Sequence, residues 1–145
     1  MPAIRRARLE DLHEIQNCNL WCLPENYMFQ YYLYHYLSWS SLLYVAEENG
    51  EVCGYVLAKM DDEADAEKNA DLQGHITSLS VLRTHRRLGL ANHLMNYSHD
   101  SMRKVQNCKF VSLHVRVSNR AALGLYRDKL GYKVHERSIE YYADG

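Results

Sequence analysis

Apolar positions recur along this chain with two periods, and the points where one period gives way to the other mark its elements. Ile4 to Arg8 reads as a short strand. Leu9, Leu12, Ile15 and Leu20 then return at roughly helical spacing, which predicts an amphipathic helix that Pro24 interrupts. The next segment, Tyr27 to Leu37, carries Tyr27, Phe29, Tyr31, Tyr32, Tyr34 and Tyr36, too many large rings for one buried stripe. Either some of them face a groove or a partner, or this is a core helix whose tyrosine hydroxyls reach water. Leu42 to Glu47 and Val52 to Met60 are strand-like and flank Asn49-Gly50, a dipeptide suited to the positive φ of a tight hairpin. The acidic run from Asp61 to Asp71 has no periodicity and predicts a mobile connection.

Ile76 to Val81 predicts a further strand. After Gly89, the positions Leu90, Leu94, Ser98, Met102 and Val105, with Ala91 and Met95 alongside, mark one face of a long helix. Phe110 to Val117 alternates, with Val111, Leu113, Val115 and Val117 on one side and Ser112, His114 and Arg116 on the other. Ser118 and Asn119 are good N-caps for another helix, which runs through Ala122, Leu125 and Tyr126 and stops at Gly131. Lys133 to Tyr141 reads as a final strand. Two late strand–helix units on a mixed background predict an α/β or α+β fold with one sheet.

Composition narrows this picture without redirecting it. A chain of 145 residues suits one domain, and 47% hydrophobic with 24% charged residues is ordinary for a soluble globular protein. No apolar run approaches the roughly 20 residues of a membrane span, and the N-terminus lacks the apolar stretch of a secretory signal. The expectation is a cytosolic or nuclear protein. Its formal charge of −1 argues against nucleic-acid binding. Cys18, Cys22, Cys53 and Cys108 lack zinc-site spacing and read as free, mostly buried thiols. The 8 histidines form no helical His-x-x-x-His set, so no metal is expected.

The charge is nevertheless uneven, because Arg83, His85, Arg86 and Arg87 crowd between a predicted strand and a predicted helix. Within the cluster lies Arg86-Arg87-Leu88-Gly89-Leu90-Ala91, an Arg-x-x-Gly-x-Ala pattern. A turn of this kind aims unpaired N–H groups at one spot, and the positive end of the helix dipole reinforces them, so a pyrophosphate binds there. Gly89 would let the backbone approach the phosphates and Ala91 would keep the first helical turn clear. By itself the pattern fits an arginine-capped surface turn equally well. Asn119, Ala122 and Tyr126, at i, i+3 and i+7 on the next helix, share a face suited to the same cleft, with Tyr126 offering a phenolic proton.

With these residues in hand the sequence resembles the GNAT acetyltransferases, and within them the catalytic subunits of N-terminal acetyltransferase A. The stretches that carry the resemblance run from Cys22-Leu23-Pro24-Glu25-Asn26-Tyr27 through Gly54-Tyr55-Val56-Leu57-Ala58-Lys59-Met60 and Gly74-His75-Ile76-Thr77-Ser78-Leu79 to Thr84-His85-Arg86-Arg87-Leu88-Gly89-Leu90-Ala91. They continue with Ser112-Leu113-His114-Val115-Arg116, Ser118-Asn119-Arg120-Ala121-Ala122-Leu123 and Tyr141-Tyr142-Ala143-Asp144-Gly145. Together they span nearly the whole chain. The resemblance implies a GNAT fold, a mixed central sheet whose two central parallel strands splay apart, and a single acetyltransferase domain over residues 1–145.

It also implies a mechanism. Acetyl-CoA would lie between the strands Ile76–Val81 and Phe110–Val117, its pantetheine pairing with the backbone near Leu79, Ser80 and Val81. Its pyrophosphate would sit on the turn of Arg86, Arg87, Leu88, Gly89, Leu90 and Ala91, with Asn119 and Tyr126 on the cofactor side. A peptide α-amine would attack the thioester directly, and an α-amino pKa of about 7.7 to 8.0, against about 10.4 for lysine, asks little of a base. Glu25 is the first candidate to orient or deprotonate that amine and His114 the second, while Tyr126 would protonate the CoA thiolate. Glu25 also reads as a helix-start carboxylate, and His114 as a hydrogen-bonded core histidine. Leu23, Pro24, Glu25, Tyr27, Tyr141 and Tyr142 would wall the first residues of the peptide.

The family further implies a large helical-repeat auxiliary subunit, contacting the first two helices and docking the enzyme at the ribosome. Relatives continue past Tyr-Tyr-Ala-Asp-Gly with an acidic turn and another strand, whereas this sequence stops at Gly145, which leaves Tyr141 and Tyr142 without a pairing strand. The rival readings are a small-molecule or lysine acetyltransferase, which shares the CoA turn but needs no tyrosine walls, and a non-catalytic subunit. Gly89, Asn119 and Tyr126 together weigh against the latter.

Overall fold

The computed structural model describes residues 2–22, 27–60, 73–86, 88–104 and 110–113. Contacts divide the chain into two compact units, Met1–Ser112 and Leu113–Gly145, and nearly all the described residues belong to the first. A five-stranded sheet runs in the order β1 (Ala3–Arg6), β2 (Tyr44–Glu48), β3 (Glu51–Met60), β4 (Gln73–Val81) and β5 (Phe110–Leu113). The first three pairings are antiparallel. Between β4 and β5 the chain makes a helical crossover, the connection that parallel neighbours need. The Ser112 hydroxyl approaches the Gly74 carbonyl at 3.5 Å and His75 Nδ1 at 3.0 Å, so β5 lies beside the first residues of β4. The sheet is mixed, as the sequence predicts.

Asn49 and Gly50 both have positive φ, 55° and 80°, and close the β2–β3 hairpin with the twist its strands require. Elsewhere the predicted boundaries shift for local reasons. β1 stops at Arg6 because the Asp11 carboxylate accepts the Arg8 N–H at 2.7 Å and starts a short turn over Leu9–Asp11. That carboxylate also takes two bonds from Arg5, whose guanidinium reaches Glu47 on β2 as well. β2 begins at Tyr44, since Ser40–Leu42 coils into a 3-10 turn. β4 begins at Gln73, three residues ahead of the predicted strand.

Two layers of helix cover the sheet. On one face lies α3 (Leu90–Lys104), which buries Leu90, Leu94, Met95, Ser98, Ser101 and Met102, close to the predicted stripe. Its buried hydroxyls are satisfied: Ser98 donates to the Leu42 carbonyl at 3.1 Å, and Ser101 bonds the Tyr44 phenol. Helix and sheet meet closely, because a Cβ on Gly74 would stand 2.6 Å from Met102 Sδ, and one on Gly54 would stand 3.5 Å from Leu94 Cδ1. The other face carries α1 (Leu12–Cys22) and α2 (Phe29–Trp39), reached by Tyr55 of β3 and by the side chains of β4 described below.

The buried stripe of α1 is Leu12, Ile15, Cys18 and Asn19, while the predicted Leu9 and Leu20 are exposed. On α2, Tyr32 and His35 are buried. Both alternatives for the tyrosines are therefore realised, with Tyr32 in the core and Tyr34 facing out. Cys18 and Cys53 are buried and Cys22 half-buried, all three as free thiols. Burial raises the Cys18 thiol well above its ordinary range. Among the described residues, no helix is long and apolar enough to cross a membrane and no cluster suits a metal ion. The acidic segment from Asp61 to Asp71, Cys108, the strand past Leu113, the helix from Asn119 and the final strand lie outside the described residues.

Candidate active site

The strand that the sequence assigns to the cofactor is built around an irregularity. Opposite β3, Leu57 pairs with Ser78 but Ala58 pairs with Ile76, so Thr77 is an extra residue, a β-bulge. The bulge turns two successive hydroxyls toward the same helical layer. Thr77 Oγ1 meets His35 Nε2 of α2 at 3.0 Å, and Ser78 Oγ meets the Tyr55 phenol at 2.7 Å. Asn19 of α1 donates to Tyr55 at 2.8 Å and approaches Ser78 at 3.5 Å. Burial first, against hydrogen bonds from Ser78 and Asn19, pushes the Tyr55 phenol up to about 12, so it stays protonated.

Beyond the bulge, Leu79, Ser80 and Val81 pair with Val56, Tyr55 and Gly54. Leu79 is half-buried, while Ser80 and Val81 are buried. Leu82 then donates to the Cys53 carbonyl at 2.8 Å, which pins the end of β4. A 3-10 turn over Arg83–His85 follows, and the chain extends again at Arg86, whose Nε donates to the Val81 carbonyl at 2.9 Å. The Cys22 thiol approaches the same carbonyl at 3.6 Å. His85 ties the turn to the hairpin, with Nε2 2.8 Å from Glu48 Oε1 and Nδ1 2.8 Å from the Thr84 hydroxyl.

Gly89 has φ of 77°, and a Cβ there would meet nothing within 4 Å. Its conformation favours glycine, and the space beside it is open. Leu90 starts α3, and His93 N–H closes the first helical bond onto the Gly89 carbonyl at 3.0 Å. The N–H groups of Leu90, Ala91 and Asn92 therefore precede any intrahelical acceptor. Arg86, Leu88 and Gly89 are exposed, Ala91 is half-buried and Leu90 packs into the core. A strand end, an exposed arginine, an open glycine and a helix N-terminus thus stand in sequence, a site suited to a phosphate group.

On the side of α2, the half-buried Tyr27 stacks on Tyr31 at 4.4 Å and lies edge-on to Tyr32 at 5.9 Å. Gln16 of α1 donates to the Tyr27 carbonyl at 3.2 Å, joining the two helices near their shared connection. Leu79, Ser80, Val81, Arg86, Leu88, Gly89, Leu90 and Ala91 are thus gathered along one strand–turn–helix, with Tyr27 on the other helical layer. Leu23, Pro24, Glu25, Arg87, His114, Asn119, Tyr126, Tyr141 and Tyr142 lie outside the described residues. Sequence reasoning passed over His35, Thr77, Asn19, Tyr55 and Ser78. The available signal was the adjacent Thr77-Ser78 hydroxyls in a strand, and a histidine one turn after Tyr31 on an aromatic helix.

Known proteins resemble this chain in sequence and in fold. Residues 9–132 match the Acetyltransferase (GNAT) family. The N-terminal acetyltransferase A complex catalytic subunit NAA10 of Arabidopsis thaliana is 57% identical over all of this chain and 73% of its own length. A crystal structure of the NatC complex bound to Gag peptide and CoA contains a chain 28% identical to this one, with TM-score 0.86 over 99% of this chain and 91% of that one. Chaetomium thermophilum Naa20, solved with a bisubstrate analogue, is 31% identical with TM-score 0.83, over 99% of this chain and 77% of that one. The β4–turn–α3 geometry, the mixed sheet and these likenesses agree: the chain belongs to the GNAT acetyltransferase family, among the relatives of N-terminal acetyltransferase catalytic subunits.

Proposed function

We propose that this protein transfers an acetyl group from acetyl-CoA to the α-amino group of polypeptides. The observation that carries the reading is the passage from Leu79 through the Arg86–Gly89 turn into α3, in a chain 57% identical to a NatA catalytic subunit. Leu79, Ser80 and Val81 present strand backbone to the pantetheine, and the turn with the first N–H groups of α3 takes the pyrophosphate. The peptide amine attacks the thioester carbonyl, and the tetrahedral intermediate collapses with loss of the CoA thiolate. Glu25 or His114 receives the amine proton and Tyr126 supplies one to the thiolate. Leu23, Pro24, Tyr27, Tyr141 and Tyr142 enclose the first residues of the peptide.

A large helical-repeat auxiliary subunit covers α1 and α2 and brings the enzyme to nascent chains at the ribosome, in the cytoplasm. Support comes from the apolar side chains standing in solvent there: Leu20 at 57% exposure, Trp21 at 77%, Met28 at 74% and Leu37 at 72%. The test is incubation with acetyl-CoA and peptides that begin with Ser, Ala, Asp or Glu, beside an N-blocked peptide with an internal lysine. Thiol release and product mass are followed. Acetylation confined to free N-termini is the expected result. Modification of the blocked lysine peptide, or of small amines alone, would replace this reading with one of its rivals.

A further inference from the structure

We propose that His35 and Thr77 form a positioning pair, through which α2 holds the β4 bulge and so sets the backbone that receives the cofactor from Leu79 onward. The inference rests on the acetyltransferase reading. A bulge residue has no place in the ladder to its neighbour strand, so other contacts must fix it. For Thr77 the side chain supplies one, its hydroxyl 3.0 Å from His35 Nε2. His35 Nδ1 lies 3.1 Å from the Tyr31 carbonyl, which can only accept. Nδ1 therefore carries the proton, Nε2 keeps its lone pair, and Thr77 donates.

The imidazole is held on all sides. It is fully buried and makes edge contacts with Tyr31 at 4.6 Å, Tyr34 at 5.8 Å and Trp39 at 5.6 Å. Tyr31 in turn stacks on Tyr27, the proposed peptide wall. Rings one helical turn apart thus run from the peptide side down to the bulge. The next residue, Ser78, is anchored through Tyr55 to Asn19 of α1. The two helices that bracket Leu23 to Asn26 are therefore each tied to one residue of the bulge. Leu79 follows directly, so a displaced bulge displaces the cofactor arm held there, and with it the thioester, relative to the incoming amine. His35 and Thr77 touch neither substrate; they act through the backbone.

Thr77→Val keeps the shape of the side chain and removes the donor, Thr77→Ser keeps the donor, and His35→Gln tests the other partner. Assayed with acetyl-CoA and the best peptide, Thr77→Val is expected to lower kcat about tenfold or more, while both KM values move less than about threefold. Thr77→Ser should restore most of the rate. The double variant Thr77→Val with His35→Gln should lose no more than the worse single one, because the pair acts as a unit. Nitrogen-15 spectra of the imidazole give a readout independent of turnover: protonated Nδ1 with a hydrogen-bonded Nε2, whose resonance shifts in Thr77→Val. A folded Thr77→Val with parental kcat, a Ser variant no better than Val, or a proton on Nε2 would overturn the proposal. An inactive parent with the expected imidazole spectrum would sink the acetyltransferase reading and leave the His35–Thr77 bond established. An inactive parent with a proton on Nε2 would sink both.

Discussion

Gly89 sits in the left-handed region with open space where a side chain would be, so any other residue there meets dihedral strain and no clash. Gly89→Ala is expected to cost about 1–2 kcal/mol in urea unfolding and to weaken acetyl-CoA binding in calorimetry. Gly89→Asn should cost less, because asparagine tolerates positive φ. Glu48 offers a contrasting case. It holds His85, and with it the turn, from a partly exposed pair. Such pairs contribute about 0–1 kcal/mol, so Glu48→Ala should raise the KM for acetyl-CoA by no more than about fivefold and leave kcat unchanged. Gly89 was singled out because a glycine before a helix is visible in one dimension. Glu48 was not, because its partner is remote in sequence and only the hairpin brings them together.

At the scale of elements, α3 and β4 approach until the Met102 thioether occupies the space beside Gly74. Gly74→Ala should therefore destabilise the protein by about 1–3 kcal/mol, and combined with Met102→Ala, itself costly at a fully buried site, it should lose less than the sum of the two singles, because the shortened side chain makes room. Denaturation midpoints of the two singles and the double measure it. Periodicity revealed α3 well, since Leu90, Leu94, Ser98 and Met102 face one sheet and little else competes for them. It misread α1, where Leu20 belongs to an outward patch and the polar Asn19 is buried under Tyr55. Apolar spacing records which side chains avoid water, without saying whether the sheet or another molecule receives them. The bulge left no mark in the pattern, because both of its hydroxyls are simply polar. The CoA turn was legible as a motif, but its tie to the hairpin and the clamp on β4 depend on partners far apart in sequence.

For the whole molecule, two kinds of buried titratable group shape stability in acid. Burial lowers His35 from its ordinary 6.5 to about 4, outweighing the Tyr31 carbonyl, so the fold keeps the ring neutral. Above pH 6.5 both states are neutral there and the stability is fully present. Between about pH 6.5 and 4 only the unfolded chain takes up the proton, and stability falls by about 3 kcal/mol before levelling off. His99 is lowered, again by burial, and adds in the same direction. Urea midpoints across this range should show the slope, and His35→Asn should reduce it. Asp11 acts lower on the scale: burial raises its carboxyl, but Arg5 and the Arg8 N–H hold it below the usual range. Its contribution is present above the unfolded carboxylate pKa and lost as pH falls through the folded one, a step that Asp11→Asn should abolish.

The extra residue at Thr77 also fixes the phase of the strand. Before it, Gly74 and Ile76 are the residues that oppose Met60 and Ala58; after it, Leu79 and Val81 oppose Val56 and Gly54, so even numbers hand over to odd ones on the α3 side. Deleting Thr77 would close this offset and leave one unbroken alternation, in which Ile76 still opposes Ala58 and Ser78 still opposes Leu57, so both alignments and both faces survive. What the strand loses is the hydroxyl that meets His35 and the added local twist that a bulge gives. A one-residue deletion at this point thus keeps the core in phase and should cost activity more than stability, which denaturation midpoints beside the acetylation rate would show.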